Sequence, residues 1–270
     1  MPVLRELRHI GRNTEGYMVR GLYTAATGMM VQRHNMDVLT NNLVNAETTG
    51  YKKDTLVTSA FTEVMLERIN DPGISILGTT DVGTYNYGTR VDELFTDFTE
   101  GGYEETGEST DLAIVGNGFF VVNTEDGERY TRAGNFAVDE EGYLVTADGN
   151  YVLGEKGRIY VGTTDFSVSE DGTVAVGGVA ADRLRLETFD DLTVLRKQGD
   201  NLYYAYGGAA PVDAVNASVK QGVQESSNVN VSDEMVDMLT VYRKYEANQK
   251  VVSMTEDSME LAANLGKLGG

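Results

Sequence analysis

Hydrophobic positions from Leu22 to Ala46 fall three and four residues apart. Leu22, Ala25, Met29, Gln32, Met36, Leu39, Leu43 and Ala46 make one unbroken stripe in which only Gln32 is polar. This is the a/d seam of a helix that packs lengthwise against other helices. A fully helical stretch of this size is about 37 Å long at ~1.5 Å per residue. It is too long and too narrowly striped to be explained by one small core. The helix is predicted to begin near Leu22 and to stop at Thr48-Thr49-Gly50-Tyr51. Gly50 can take the positive φ that helix exits favour, and adjacent threonines weaken helix. A second apolar patch, Phe61 to Ile69, reads as a short helix broken by Asp71-Pro72-Gly73.

From about residue 74 the period changes from 3.6 towards 2. Leu112 to Val115 and Phe119 to Val122 are short apolar runs around Gly116-Asn117-Gly118, the pattern of strands buried on both faces. Asp126-Gly127, Glu141-Gly142, Asp148-Gly149 and Asp171-Gly172 are hairpin signals. Leu184, Leu186 and Thr188 alternate with Arg183, Arg185 and Glu187, as in a half-buried strand. Helical period returns after Ser226-Ser227-Asn228. Ser232 is placed as an N-cap, with Asp233 and Glu234 in the positive first turn and Val231 and Val236 as a hydrophobic staple. Met235, Met238, Tyr242, Tyr245, Gln249 and Val252 again step by three and four. The stripe weakens through Glu256, Met259 and Ala263, and Gly266 and Gly269-Gly270 end it.

The expected fold class is therefore α+β. Long N- and C-terminal helices pack together, and an antiparallel β-rich domain is inserted between them. The expected divisions are an extension without structure of its own at 1–17, an N-terminal helix and linker at 18–80, a central β domain at 81–220 and a C-terminal helix at 221–270. Two striped ends packed side by side still leave apolar surface uncovered, which calls for other subunits.

Charge sharpens this division. The net charge is −20, and residues 81–220 hold 26 acidic and 10 basic residues, a net of −16. So acidic a middle repels phosphate and disfavours nucleic acid or an anionic membrane as partner. No apolar run approaches the ~18 residues of a membrane span, and no apolar stretch of a secretory signal follows Arg5, Arg8 and Arg12.

Catalytic material is sparse. The chain has no cysteine, which excludes disulfides and thiolate chemistry, and its histidines are His9 and His34. Asp139-Glu140-Glu141 before a glycine reads as a solvated turn. The loop Asn123 to Gly127 lacks the alternating ligands of a calcium-binding EF-hand. Gly116-Asn117-Gly118 lacks the third glycine and following helix of a dinucleotide fingerprint. No catalytic, cofactor or metal residues are assigned. An acidic, Tyr-rich β domain on helical stalks keeps two other readings open. One is a carbohydrate-active enzyme, which needs a deep cleft with two convergent carboxylates. The other is a surface adhesin.

Three blocks carry a resemblance. The first is Gly21-Leu22-Tyr23-Thr24-Ala25-Ala26-Thr27-Gly28-Met29 with Asn41-Asn42-Leu43 and Thr48-Thr49-Gly50-Tyr51-Lys52. The second is Asp111-Leu112-Ala113-Ile114 with Gly118-Phe119-Phe120 and Tyr130-Thr131-Arg132-x-Gly134-Asn135-Phe136. The third is Gln221-Gly222 with Glu225-Ser226-Ser227-Asn228-Val229-Asn230 and Tyr242-Arg243-x-Tyr245-Glu246-Ala247-Asn248. Together they resemble the bacterial flagellar rod and hook family over about residues 18–266. Val44 and Ala46-Glu47 are mild departures from its motif.

The resemblance implies a non-enzymatic subunit, needing no cofactor. Such a subunit is exported by the type III apparatus without a cleaved signal peptide and located in the flagellar basal body. Its terminal helices line a helical assembly and its β domain forms the outer layer. Implied partners are further copies of itself, other rod proteins, the hook protein and the surrounding rings. Length leaves the distal and proximal rod types, with the distal favoured. The expected assembly interface is Leu22, Met29, Met36, Leu39, Asn41, Asn42, Leu43, Met235, Met238, Tyr242, Tyr245 and Val252.

Overall fold

A computed structural model describes residues 3–68 and 80–268 of the chain. The order is helix, strands, helix. Helix α1 runs Val3–Val44, many short strands follow, and helix α2 runs Val231–Leu268. The α+β class and the antiparallel middle are as expected. No described helix is long and apolar enough to cross a membrane.

The chain forms two compact units. One holds Met1–Asn41, Thr55–Phe95 and Ser232–Gly270; the other holds Asn42–Asp54 and Thr96–Val231. Strands Thr80–Tyr85 and Thr89–Thr96, grouped with the central domain by sequence, fall mainly in the helix-bearing unit.

In that unit α1 begins at Val3, well before Leu22. Among its residues from Gly21 on, Ala25 and Val31 are the buried apolar ones, and Leu22, Met29, Met36 and Leu39 are half-buried. The two helices meet at Gly28, where an added Cβ would lie 2.9 Å from Asn248 Nδ2. On α2 the covered positions are Glu234, Met238, Val241, Tyr245, Asn248, Val252, Thr255 and Met259. They alternate steps of four and three, so they form one face. The predicted stripe is thus met at Met238, Tyr245 and Val252, whereas Met235 and Tyr242 are each 50% exposed. Val231 and Val236 are also exposed, so the expected staple is not made, and α2 begins one residue before the predicted cap.

The patch from Phe61 contains a strand, Val64–Arg68, paired antiparallel with Thr80–Tyr85, and not the short helix expected. Asp54–Ala60 pairs with Thr89–Thr96. The turn before Thr89 lies against α1: Thr24 Oγ1 donates to Tyr87 O at 3.4 Å. Ile69 and the expected break at Asp71-Pro72-Gly73 lie outside the described residues, as do Gly269 and Gly270.

The second unit, the β body, is built on one long antiparallel sheet. Its order is Leu195–Gly199, Leu202–Ala205, Gly127–Thr131, Phe119–Thr124, Tyr151–Gly154, Leu144–Val145 and Ala137–Val138. All four predicted hairpin turns join antiparallel neighbours. Side chains of Phe119–Thr124 alternate between two apolar clusters. Phe120 and Val122 join Leu112, Ile114 and Val152 on one face; Phe119 and Val121 join Tyr130, Leu195 and Tyr203 on the other. The strand is buried on both faces, as its unbroken apolar run predicts.

The strand Leu186–Thr188 departs from prediction. Its fully covered residue is Glu187, 7% exposed and bonded by Arg185 Nε. A sheet covered on both sides leaves no solvent face for the polar half of the alternation. Two short pairs, Leu112–Val115 with Ser218–Gln221 and Tyr103–Glu105 with Val223–Glu225, bring the end of the β body beside its beginning.

Candidate functional site: a buried polar junction

Asn42 lies in the last turn of α1 and is fully buried. Its Nδ2 donates to Asp54 O at 2.8 Å, and its Oδ1 accepts from Asp54 N at 3.0 Å and Tyr51 Oη at 3.1 Å. One side-chain amide thus pairs with both backbone groups of Asp54, as a neighbouring strand would. Between them the chain turns through Thr48, whose backbone N–H donates to Asn45 O, and Gly50, whose φ is 67°. This places Tyr51, Lys52 and Asp54 against the β body, buried like the core.

Glu225 receives them. It is 0% exposed, ends the strand Val223–Glu225 and lies opposite Tyr103 in register. Its Oε1 accepts from Lys52 Nζ at 2.6 Å and Gly101 N at 3.1 Å, and its Oε2 from Arg132 Nη1 at 3.4 Å. Its backbone carbonyl accepts from Gly50 N at 2.7 Å. Lys52 also donates to Thr99 O at 2.7 Å, and Arg132 Nη2 to Gly116 O at 2.8 Å. The ammonium and guanidinium therefore face one carboxylate plus carbonyls, with no bulk water. Arg132 Nε is buried without a protein partner. Beneath it lie Phe119, 5.3 Å from the guanidinium carbon, and the ring group of Phe98, Phe119 and Tyr203.

A second ion pair adjoins the first. Lys197 Nζ donates to Asp54 Oδ2 at 2.8 Å and Lys52 O at 2.6 Å, and lies 4.1 Å from the centre of the Tyr51 ring. Asp54 Oδ1 accepts from Thr96 Oγ1 at 2.7 Å. Asn228 completes the junction. Its Oδ1 accepts from Lys53 N at 2.7 Å, while its Nδ2 donates to Asp97 O at 2.9 Å. Burial holds the ammonium groups of Lys52 and Lys197 below the usual lysine value, and the bonds to Glu225 and Asp54 pull the other way.

Chemically the junction is a clamp. Each charged group is met by a counter-charge or carbonyl. Removing one member of such a buried set costs about 3–5 kcal/mol, because the remaining charge loses its partner. A groove in the β body, about 650 Å³, is lined by Glu100, Gly116, Asp213, Phe189 and Val215 among others, and so borders the junction at Gly116. Glu100 is taken up by Gly116 N at 2.7 Å and Tyr103 Oη at 3.2 Å. The groove therefore lacks the free carboxylate pair that hydrolysis of a sugar would need.

Asn42, expected in the assembly interface, is wholly covered by its own chain in the single subunit. Asn41 is exposed, and Leu43 is half-buried. Lys52, Arg132 and Glu225 were not singled out by residue chemistry, since they lie far apart in the chain. Their signal lay in the motif blocks, for each of the three blocks supplies one member of the triad.

Comparison with known proteins finds the same three blocks. Residues 22–52 match the model of the flagella basal body rod protein, 113–176 that of the flagellar hook protein FlgE/F/G D1 domain, and 220–265 that of the flagellar basal body rod FlgEFG protein C-terminal segment. The chain is 36% identical over 270 residues to the flagellar hook-basal body complex protein FlhO of Bacillus subtilis, covering 93% of this chain and 100% of the relative. It is 35% identical over 255 residues to the flagellar basal-body rod protein FlgF of Caulobacter vibrioides, covering 93% and 100%. It is 33% identical over 267 residues to the rod protein FlgG of Bacillus subtilis, covering 92% and 99%.

Proposed function

Because this chain belongs to the family of flagellar basal-body rod and hook proteins, we propose that it is a self-assembling rod subunit, of the distal type in preference to the proximal. It is a structural protein of the flagellar basal body and not an enzyme, and it serves motility as part of the hook-basal body complex.

The observation that carries the rod reading is the uncovered side of α2. Met235, Leu239, Tyr242, Met254, Leu261 and Leu265 are each at least 50% exposed. An apolar strip of this length on a charged protein calls for a partner surface. Repeated head-to-tail contacts whose rotation does not close build an open helix of subunits. The contact set is Leu22, Met29, Met36, Leu39, Asn41 and Leu43 from α1 with Met235, Met238, Tyr242, Tyr245 and Val252 from α2. Its partners are further copies, other rod proteins and the hook protein, with the surrounding rings outside. The acidic β body keeps subunits apart before assembly, and the chain reaches the rod through the type III export apparatus without a cleaved signal. The size of the β body supports an outer rod type over the innermost ones.

Leu39→Asp or Leu43→Asp should abolish incorporation into basal bodies while leaving the β-sheet spectrum of the purified monomer unchanged. Normal rods carrying either change would overturn the assembly surface. For position, cross-linking in purified basal bodies should join the subunit to the hook side of the rod; links confined to the membrane-proximal end would move it to the proximal type.

A further inference from the structure

The β body has two kinds of cohesion, and they come from different parts of the chain. Every residue of its two apolar clusters lies between Phe98 and Val219. Residues 42–54 contribute nothing to those clusters, although Asn42, Tyr51, Lys52 and Asp54 are all buried. That segment is held by polar bonds. Some anchors precede residue 220: Thr96 Oγ1, Asp97 N, Thr99 O, Lys197 Nζ and Asn201 Nδ2. A second set comes last in the chain. Gln224 Oε1 accepts from Thr49 Oγ1, Glu225 takes Gly50 N and Lys52 Nζ, and Asn228 Oδ1 takes Lys53 N.

We propose that residues 223–228 are a latch that closes the β body last, fixing the Asn42–Asp54 segment by bonds that open without the apolar core. Glu225 is its central residue, 173 positions after Lys52. Without it, Lys52 and Arg132 are buried cations facing only the carbonyls of Thr99 and Gly116, an arrangement relieved by the segment swinging out into water. A chain that has emerged only as far as residue 222 therefore has its core residues but an open junction. The segment Asn42–Asp54 becomes fixed when the last of the β body arrives. The latch makes the order of a subunit's N-terminal junction conditional on its C-terminal segment. It stands apart from the rod reading, and its test needs no flagellum.

The test is native-state hydrogen exchange on the full chain, read with trypsin cleavage at Lys52 and Lys53 against the exposed α2 sites Lys244 and Lys250. In the unaltered protein the amides of Gly50, Lys53 and Asp54 should exchange together, about tenfold or more faster than those of the Phe119–Thr124 strand, as a local opening does. Glu225→Gln should speed that group by about a further tenfold and expose Lys53 to trypsin, with the strand amides unchanged. Asn228→Ala keeps all the charges and should speed the same amides by less. Exchange of segment and strand at one common rate would overturn the latch. So would unaltered protection in Glu225→Gln, or a Glu225→Gln chain that loses the strand's protection or fails to fold.

Discussion

A methyl group added at Gly50 would lie 2.4 Å from Ala133 N and 2.5 Å from Arg132 C, on a backbone whose φ is already +67°. Both the conformation and the space require glycine there. Gly50→Ala should lower stability by at least the ~1–3 kcal/mol of a strained backbone, read as a drop in the urea midpoint. Tyrosines record the burial of the same unit. Tyr130 is pushed up to about 12, chiefly by burial, with Glu187 adding to it. Tyr203, buried beside Asp54, is raised further. A phenol held neutral by the fold contributes stability that is full below its ordinary pKa near 10 and is lost as pH rises through the folded value. Tyrosinate absorbance should thus show a step near pH 12 from Tyr130. That step should coincide with loss of β-sheet circular dichroism. Its absence at pH 12 would show that Tyr130 is not held in the folded unit.

The elements that were legible in sequence are those whose pattern repeats. The stripe of α1, the four Asp/Glu-Gly hairpins and the doubly buried strand Phe119–Thr124 all follow from period and turn chemistry. Elements with little repetition were not. Val64–Arg68 is five residues long, and an apolar run that short fits helix or strand equally well until its partner Thr80–Tyr85 is known. On α2 apolar residues ring most of the helix, so period alone does not say which of two overlapping stripes is covered. The covered one runs through Val241, and its neighbour through Leu239 lies open. This separates two substitutions. Leu239→Asp should leave monomer stability within about 0.5 kcal/mol, as exposed changes do, yet block incorporation into rods. Val241→Asp places a charge at an 8%-exposed position and should lower the thermal midpoint of the monomer itself. Matching losses of monomer stability in both variants would mean that the open face is already occupied within the subunit.

At the scale of the molecule, the β body is not a contiguous stretch of chain. It needs Asn42–Asp54 as well as Thr96–Val231. Sequence could not show this, because Lys52 and Glu225 look like solvated charges until the fold places them 2.6 Å apart. A fragment of residues 42–231 should therefore melt as one cooperative unit. A fragment of 75–225 keeps Glu225 and Arg132 but loses Lys52, and should be less stable by about the 3–5 kcal/mol of a broken buried ion pair. Equal melting temperatures would show that the junction adds nothing to the body. The stretch between the two pieces leaves and returns at one point. Thr96 Oγ1 bonds Asp54 Oδ1 at 2.7 Å, and Asp97 N bonds Lys53 O at 2.8 Å. A detour whose two ends are pinned together can change length at little entropic cost to the body that pins them. Residues 55–95 can in that sense change length without disturbing the β body that pins their ends, while the bond from Thr24 Oγ1 to Tyr87 O ties them to α1 within the helix-bearing unit.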